Sequence, residues 1–155
     1  MEPHYYNVDI NWRQDRKGLM CSPELDKAMG SCIEVATPPE FPKGMPGIWS
    51  PEHLFTAAVS SCLMTTFLAV AENSKLDFIS FDCKSKGKLE KGEHGLEMTQ
   101  IVLEPTVMLK DDKDRDRALR VLGKSEKACL ISNSIKSEVI MKPSIVTATE
   151  ETLQE

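Results

Sequence analysis

The chain has no basic charge to spare: its 19 Lys and Arg stand against 24 Asp and Glu, for a formal net charge of -5. That balance argues against nucleic acid or an anionic membrane surface as a partner. No C-x-x-C occurs, and the five cysteines, at 21, 32, 62, 83 and 129, are odd in number. Their spacing suits neither a zinc site nor a disulfide framework, and it predicts a reducing, cytoplasmic setting. The start M-E-P-H-Y-Y-N-V lacks the basic and apolar regions of a secretory signal. There is no phosphate loop, no Ser-His-Asp pattern, no internal repeat and no boundary that divides the chain. At 155 residues, one domain with its own core is expected over 1–155.

What the chain does have is a long uncharged run. Between Leu54 and Ala71 there is no charge, no Gly and no Pro. Ahead of it, Ser50 suits a helix cap, Pro51 the first helical position, and Glu52 the positive end of the helix dipole. A helix apolar all round is expected to be buried on all sides. Its length approaches that of a membrane span, but Thr56, Ser60, Ser61, Thr65 and Thr66 and the lack of flanking basic clusters argue against one. Ala58, Cys62, Thr66 and Val70 recur every four residues, a mostly small stripe along which another backbone could approach. Cys62 lies mid-helix on it, and by pattern alone it reads first as a buried core thiol.

Before this helix, residues 1–36 read as a small sheet. Tyr5–Trp12 alternates, D-R-K-G at 15–18 is a hairpin turn, Leu19–Ser22 returns, and Ser31–Ala36 adds a third strand. Arg13 and Arg16 flank the turn as solvated charges. Residues 37–50 form a stiff proline-rich lead-in. Its Phe41, Ile48 and Trp49 either cover the end of the core or line a pocket. From 51 to 148 come the central helix, a strand over Phe78–Leu89, a G-E-H-G turn with His94 exposed, and a strand over Leu96–Leu109. That last strand turns Ile101, Leu103, Val107 and Leu109 to one face. A second helix is expected from near Asp111, with Ala118, Leu119, Leu122 and Ala128 inward. Cys129 sits at its break, a short helix starts at Ser132, and a last strand spans Glu138–Val146. The polar tail from Thr149 to Glu155 is expected to fray.

P-E-H-L-F-T-A-A-V-S-S-C, then a strand hairpin, then S-E-K-A-C-L-I-S-N-S-I-K before a final strand, resembles the OsmC/Ohr family of osmotically inducible and organic-hydroperoxide-resistance proteins. The resemblance implies an α+β fold, antiparallel sheets around two central helices in an intertwined homodimer. It implies a thiol peroxidase that reduces organic hydroperoxides without metal, haem or other cofactor, is recycled by an external dithiol reductant, and has no nucleic acid or membrane partner. Residue by residue, Cys62 matches the reactive cysteine, Cys129 the resolving one, and Glu52 the glutamate at the helix start. Arg16, in R-K-G, stands for the activating arginine; the segment before the central helix offers only Lys43. C-L-I-S replaces the C-P-V-S of many members. The resemblance further implies a Cys62–Cys129 disulfide on oxidation, with Cys21, Cys32 and Cys83 remaining reduced. A thiolate would attack the peroxide and leave a sulfenic acid, which a second thiol would convert to a disulfide. Because a free thiol ionises above neutral pH, a neighbouring cation is expected to activate it. The other class is a non-enzymatic member whose pocket binds a hydrophobic small molecule or protein, with structural cysteines.

Overall fold

The computed structural model describes residues 1–148; the tail expected to fray lies outside the described residues. The chain forms two compact units, Met1–Leu54 and a second from Phe55 onward.

The first unit is an antiparallel sheet in the order β1-β2-β3, with β1 at Asp9–Gln14, β2 at Lys17–Cys21 and β3 at Cys32–Ala36. The β1–β2 hairpin turns at Asp15 and Arg16, as D-R-K-G indicates, and Asp15 adopts a positive φ of 47°. β1 starts later than the alternation from Tyr5 suggests, because β2 ends at Cys21, opposite Asp9, and leaves residues 5–8 no partner strand. Every residue of β1 is exposed, including Ile10 and Trp12. The proline-rich stretch closes on the sheet through Ala36 N–H to the Trp49 carbonyl at 2.8 Å and Met45 N–H to the Thr37 carbonyl at 2.9 Å. Gly44 passes so close to Pro38 that a Cβ there would lie 1.9 Å from its carbonyl oxygen, so only glycine fits.

Helix α1 spans Pro51–Asn73. Ser50 caps it: its hydroxyl accepts from the His53 N–H at 3.3 Å and its carbonyl from the Leu54 N–H at 3.0 Å. In the second unit one stripe of this helix, Val59, Leu63, Phe67 and Ala71, is buried. Although the helix is long and apolar enough to cross a membrane, this stripe makes it a core helix. Burial on all sides is not observed: Ala58, Ser61, Met64, Thr65, Leu68 and Ala69 are exposed on the single chain. The uncharged run therefore reflects more apolar surface than this chain covers by itself.

β4 (Ser80–Gly92) and β5 (Gly95–Leu109) form a long antiparallel hairpin turning at Glu93 and His94. His94 is exposed, as its place in the turn implies. The last strand divides into β6 (Glu138–Met141) and β7 (Ser144–Thr147), and both run parallel to β5. The single strand expected over Glu138–Val146 breaks at Pro143, which has no N–H to give to a ladder. The second sheet is thus mixed, not wholly antiparallel.

Helix α2 covers Arg115–Ala128 after a 3-10 turn at Asp112–Asp114. Its buried face is Ala118, Val121, Leu122 and Ser125. Leu119, expected inside, is 41% exposed; at 100° per residue it lies a quarter-turn from Ala118. Ala128 is exposed as well.

Two apolar clusters hold this unit. Phe67 and Ala71 join Val107, Leu109, Ala118, Val121, Leu122 and Ile145 in one; Val59 and Leu63 join Ile101 and Leu103 in the other. Phe81 borders both, and its ring lies 4.7 Å from that of Phe67. The inward face predicted for β5 is the one observed. Gly87 lets α1 approach the sheet: a Cβ there would meet Thr56 Oγ1 at 2.2 Å and Met98 Cε at 2.5 Å.

Candidate active site

Cys62 and Cys129, 67 positions apart in sequence, meet in the second unit and interact through their side chains. Two structural facts bring them together. Cys62 follows Val59 and precedes Leu63 on α1, so it sits beside the buried stripe and is half-buried. Cys129 is the C-cap of α2, where the chain leaves the helix in an extended conformation (φ -67°, ψ 103°), and it is 1% exposed. Ile131, two residues on, packs against the Val59–Leu63 cluster. The loop between α2 and the 3-10 turn at Ser132–Ser134 therefore lies over the thiol of Cys62.

The two thiols are tuned in opposite directions. Burial pushes the Cys62 thiol up, but hydrogen bonds from the Ile131 backbone N–H, the Cys129 side chain, the Thr66 hydroxyl and the Leu130 backbone N–H bring it below its ordinary value of 9.0. For Cys129, burial dominates and pushes the thiol above 9.0, against hydrogen bonds from the Ser132 side chain and backbone; donation to Cys62 and the charge on Cys62 add to the rise. The Ser132 hydroxyl lies 3.2 Å from the Cys129 sulfur, and Thr66 Oγ1 is 4.0 Å from that of Cys62. The resulting pair sets a half-buried thiol eased towards its thiolate against a buried thiol held towards its protonated form. This arrangement can combine a nucleophile with a resolving thiol.

The groups that lower Cys62 are neutral dipoles. Thr66 was expected on the small stripe and Ser132 at the start of a short helix; neither they nor the two backbone N–H groups were expected to act on a thiol. Thr66 was legible, as the residue one helical turn after Cys62, and Ser132 as the last residue of C-L-I-S. The N–H groups carry no sequence signal, since any residue except proline supplies one. Glu52 occupies the first turn of α1, half-buried, ten residues before Cys62. Arg16 lies in the first unit, where it lines an open cleft with Asp15, Lys43 and Met45. The two basic residues considered from the sequence thus border one cleft. In the same unit Ile48 and Trp49 border a shallow pocket with Gly47 and His53, whose Nδ1 is 2.8 Å from the Ser50 hydroxyl.

Cys21 and Cys32, expected to stay reduced, are instead disulfide-bonded to each other. The β2–β3 register sets them directly opposite, with Cα atoms 4.2 Å apart. An odd total did not exclude a bridge; it left Cys62, Cys83 and Cys129 free. With this bridge present, cysteine usage gives no ground for a reducing compartment. Cys83, on β4, packs against the Val59–Leu63 cluster. No group of three or more His, Cys, Asp or Glu able to hold a metal ion occurs among the described residues.

Comparison with known proteins agrees with this architecture. The chain is 25% identical over 144 residues to the uncharacterized protein YmaD of Bacillus subtilis, covering 90% of this chain and 91% of that one. Among solved structures, an OsmC-like protein of unknown function from Vibrio cholerae superposes with a TM-score of 0.80 at 22% identity, covering 91% of this chain and 99% of that one. The organic hydroperoxide resistance protein OhrB of Bacillus subtilis matches with a TM-score of 0.66 at 17% identity, over 92% and 98% of the two chains. At these identities the structural matches speak for the fold. Residues 44–144 match the family model described as OsmC-like protein. The chain is therefore a member of the OsmC-like protein family.

Proposed function

We propose that the protein is a thiol-dependent peroxidase of organic hydroperoxides. The observation that carries this reading is the meeting of two free thiols, Cys62 half-buried on α1 and Cys129 buried at the end of α2, which interact through their side chains. The Cys62 thiolate attacks the distal oxygen of R-O-O-H. The O–O bond breaks, the alkoxide leaves and takes a proton as R-OH, and Cys62 becomes a sulfenic acid, oxidised by two electrons. Cys129 then attacks that sulfur through its own, giving up its proton, and a Cys62–Cys129 disulfide and water form. An external dithiol reduces the disulfide through a mixed disulfide and is itself oxidised to one. The apolar surroundings, with Phe55, Phe81, Met98 and Ile131 about the Val59–Leu63 cluster, favour an alkyl hydroperoxide over hydrogen peroxide.

The working form is an OsmC-type homodimer in which each chain acts as one domain, in a cytoplasmic setting that supplies the dithiol. Exposed apolar side chains on α1, Met64 and Leu68, and on β1, Ile10 and Trp12, support a partner of the same kind. Glu52 and Cys62 of one helix are separated by about 15 Å of axial rise. Glu52 therefore serves the thiol of the partner chain, where it orients a basic group, with Arg16 as the candidate.

The test is a single-turnover reaction of the reduced protein with cumene hydroperoxide, followed by counting free thiols. The expected result is one alcohol formed and two thiols lost per chain, mapped to Cys62 and Cys129. Intact hydroperoxide with both thiols unchanged would turn the assignment towards a non-enzymatic, ligand-binding member of the family.

A further inference from the structure

We propose that Cys21 and Cys32 form a second redox site, separate from Cys62 and Cys129: a reversible disulfide that exchanges with low-molecular-weight thiols and clasps the 22–31 loop to the N-terminal segment. The proposal stands independently of the peroxidase reading, because it rests wholly on the first unit.

Three observations support it. The first is access. Cys32 is exposed and Cys21 half-exposed, whereas Cys129 is buried. A small thiol can therefore reach the Cys32 sulfur directly, and thiol–disulfide exchange is governed by such access as well as by thiolate character. The second is position. Cys21 ends β2 and Cys32 begins β3, so the bridge closes the open end of the strand pair. Beyond it, among the described residues, the pairing continues only through the Ser22 N–H to the Ser31 carbonyl, at 3.2 Å. Residues 23–28 and Gly30 are exposed, so little buried apolar surface holds the loop.

The third observation is what the loop holds. Asp26 caps a 3-10 turn at Lys27–Met29 by accepting from the Ala28 N–H at 2.9 Å. One carboxylate oxygen of Glu24 accepts from the Asn7 backbone N–H at 3.0 Å and also from the Asn7 side-chain amide. Asn7 lies two residues ahead of β1, in a segment without strand pairing, and Asp9 pairs with Cys21 itself. The bridge thus anchors the loop that carries the contact to the N-terminal segment.

The exchange balances with two small thiols, R-SH. The thiolate of the first attacks the Cys32 sulfur, the S–S bond breaks, and its electron pair leaves on Cys21, which takes a proton. A second R-SH displaces the Cys32 sulfur from the mixed disulfide. The products are R-S-S-R and two cysteine thiols, and an excess of R-S-S-R reverses the sequence. Reduction removes the covalent closure of the loop, and the hold of Glu24 on Asn7 weakens with it.

The test uses the full chain carrying Cys62→Ser and Cys129→Ser, equilibrated in glutathione buffers from fully reduced to fully oxidised. Thiols are trapped by alkylation and mapped, and amide hydrogen exchange is followed in both end states. The expected outcome is complete, reversible conversion of the Cys21–Cys32 bridge to two thiols. Amides of residue 22, of residues 24–31 and of Asn7 should exchange several-fold faster in the reduced form. A Cys21→Ser, Cys32→Ser protein should show the fast exchange in every buffer. A pair that stays bridged in excess reduced glutathione, or stays reduced in excess oxidised glutathione, would overturn the proposal. So would equal exchange of the loop in the two states.

Discussion

The side chain of Cys129 donates to the sulfur of Cys62, and this one contact moves the two thiols apart: it lowers Cys62 and raises Cys129. A charge on Cys62 makes loss of the Cys129 proton harder still. The two sulfurs thus act as an unequal pair, and several outcomes are expected from that inequality.

As the pH rises, Cys62 is expected to react with iodoacetamide first, at a pH below the ordinary 9.0, with Cys129 following only above it. Linkage has opposite signs at the two positions. The lowered Cys62 contributes stability that is present above the unfolded thiol value and lost as pH falls through its folded pKa. The raised Cys129 contributes stability that is present below the unfolded value and lost as pH rises through its folded pKa. The check is peptide-resolved alkylation across pH 6 to 11, roughly the range that brackets shifted thiols. Simultaneous labelling of both sites would contradict the pair.

Substitution separates the two roles. Cys62→Ser should abolish hydroperoxide consumption. Cys129→Ser should retain a first turnover, then stop at sulfenic acid and over-oxidise with excess peroxide. Mass spectrometry of the stalled protein reads this directly. Equal first-turnover rates in both variants and the parent would remove Cys62 as the nucleophile.

Leu130→Pro tests the backbone donors. Leu130 is 65% exposed, so its side chain contributes little packing. Cys129 already has the extended conformation that a following proline requires. The change removes one N–H aimed at Cys62 and should raise its pKa. Peroxide attack at pH 7 should slow by about tenfold, since a hydrogen bond to a charged group is worth roughly 1.5 kcal/mol or more. Stopped-flow kinetics against pH, with circular dichroism to verify the fold, distinguishes this from unfolding.

If Glu52 serves the partner chain's thiol as proposed, complementation between chains is expected. Cys62→Ser and Glu52→Ala proteins should each be weak or inactive alone. Refolded together, their heterodimers should recover one native site, about half the parent activity per dimer on the symmetry of a two-fold pair. Sedimentation should show dimers throughout. A fully active monomer would exclude the arrangement.

Phe67→Ala should be the costliest single core truncation. The ring is fully buried, lies tilted with its centre 4.7 Å from that of Phe81, and meets Phe78 at 5.1 Å. A loss of about 3 to 5 kcal/mol is expected in urea unfolding.

Much of this molecule was legible from local pattern. The cap at Ser50, the uninterrupted run to Ala71, and the alternation of Ile101, Leu103, Val107 and Leu109 each follow from the period of one element. One element needs no knowledge of its neighbours. The motifs around Cys62 and Cys129 likewise pointed to both thiols. What the sequence could not fix were relationships between elements. The Cys21–Cys32 bridge depends on the register of β2 against β3, and spacing alone does not reveal which residues face each other across two strands. The parallel pairing of β6 and β7 with successive stretches of β5 depends on where the chain returns after α2. The tuning of Cys62 comes from Leu130 and Ile131 N–H groups, which every sequence has and only the turn after α2 aims at a particular sulfur. The exposure of Met64 and Leu68 was equally hidden, because hydrophobicity states which side chains favour burial, and only the packing of one chain decides which of them it covers.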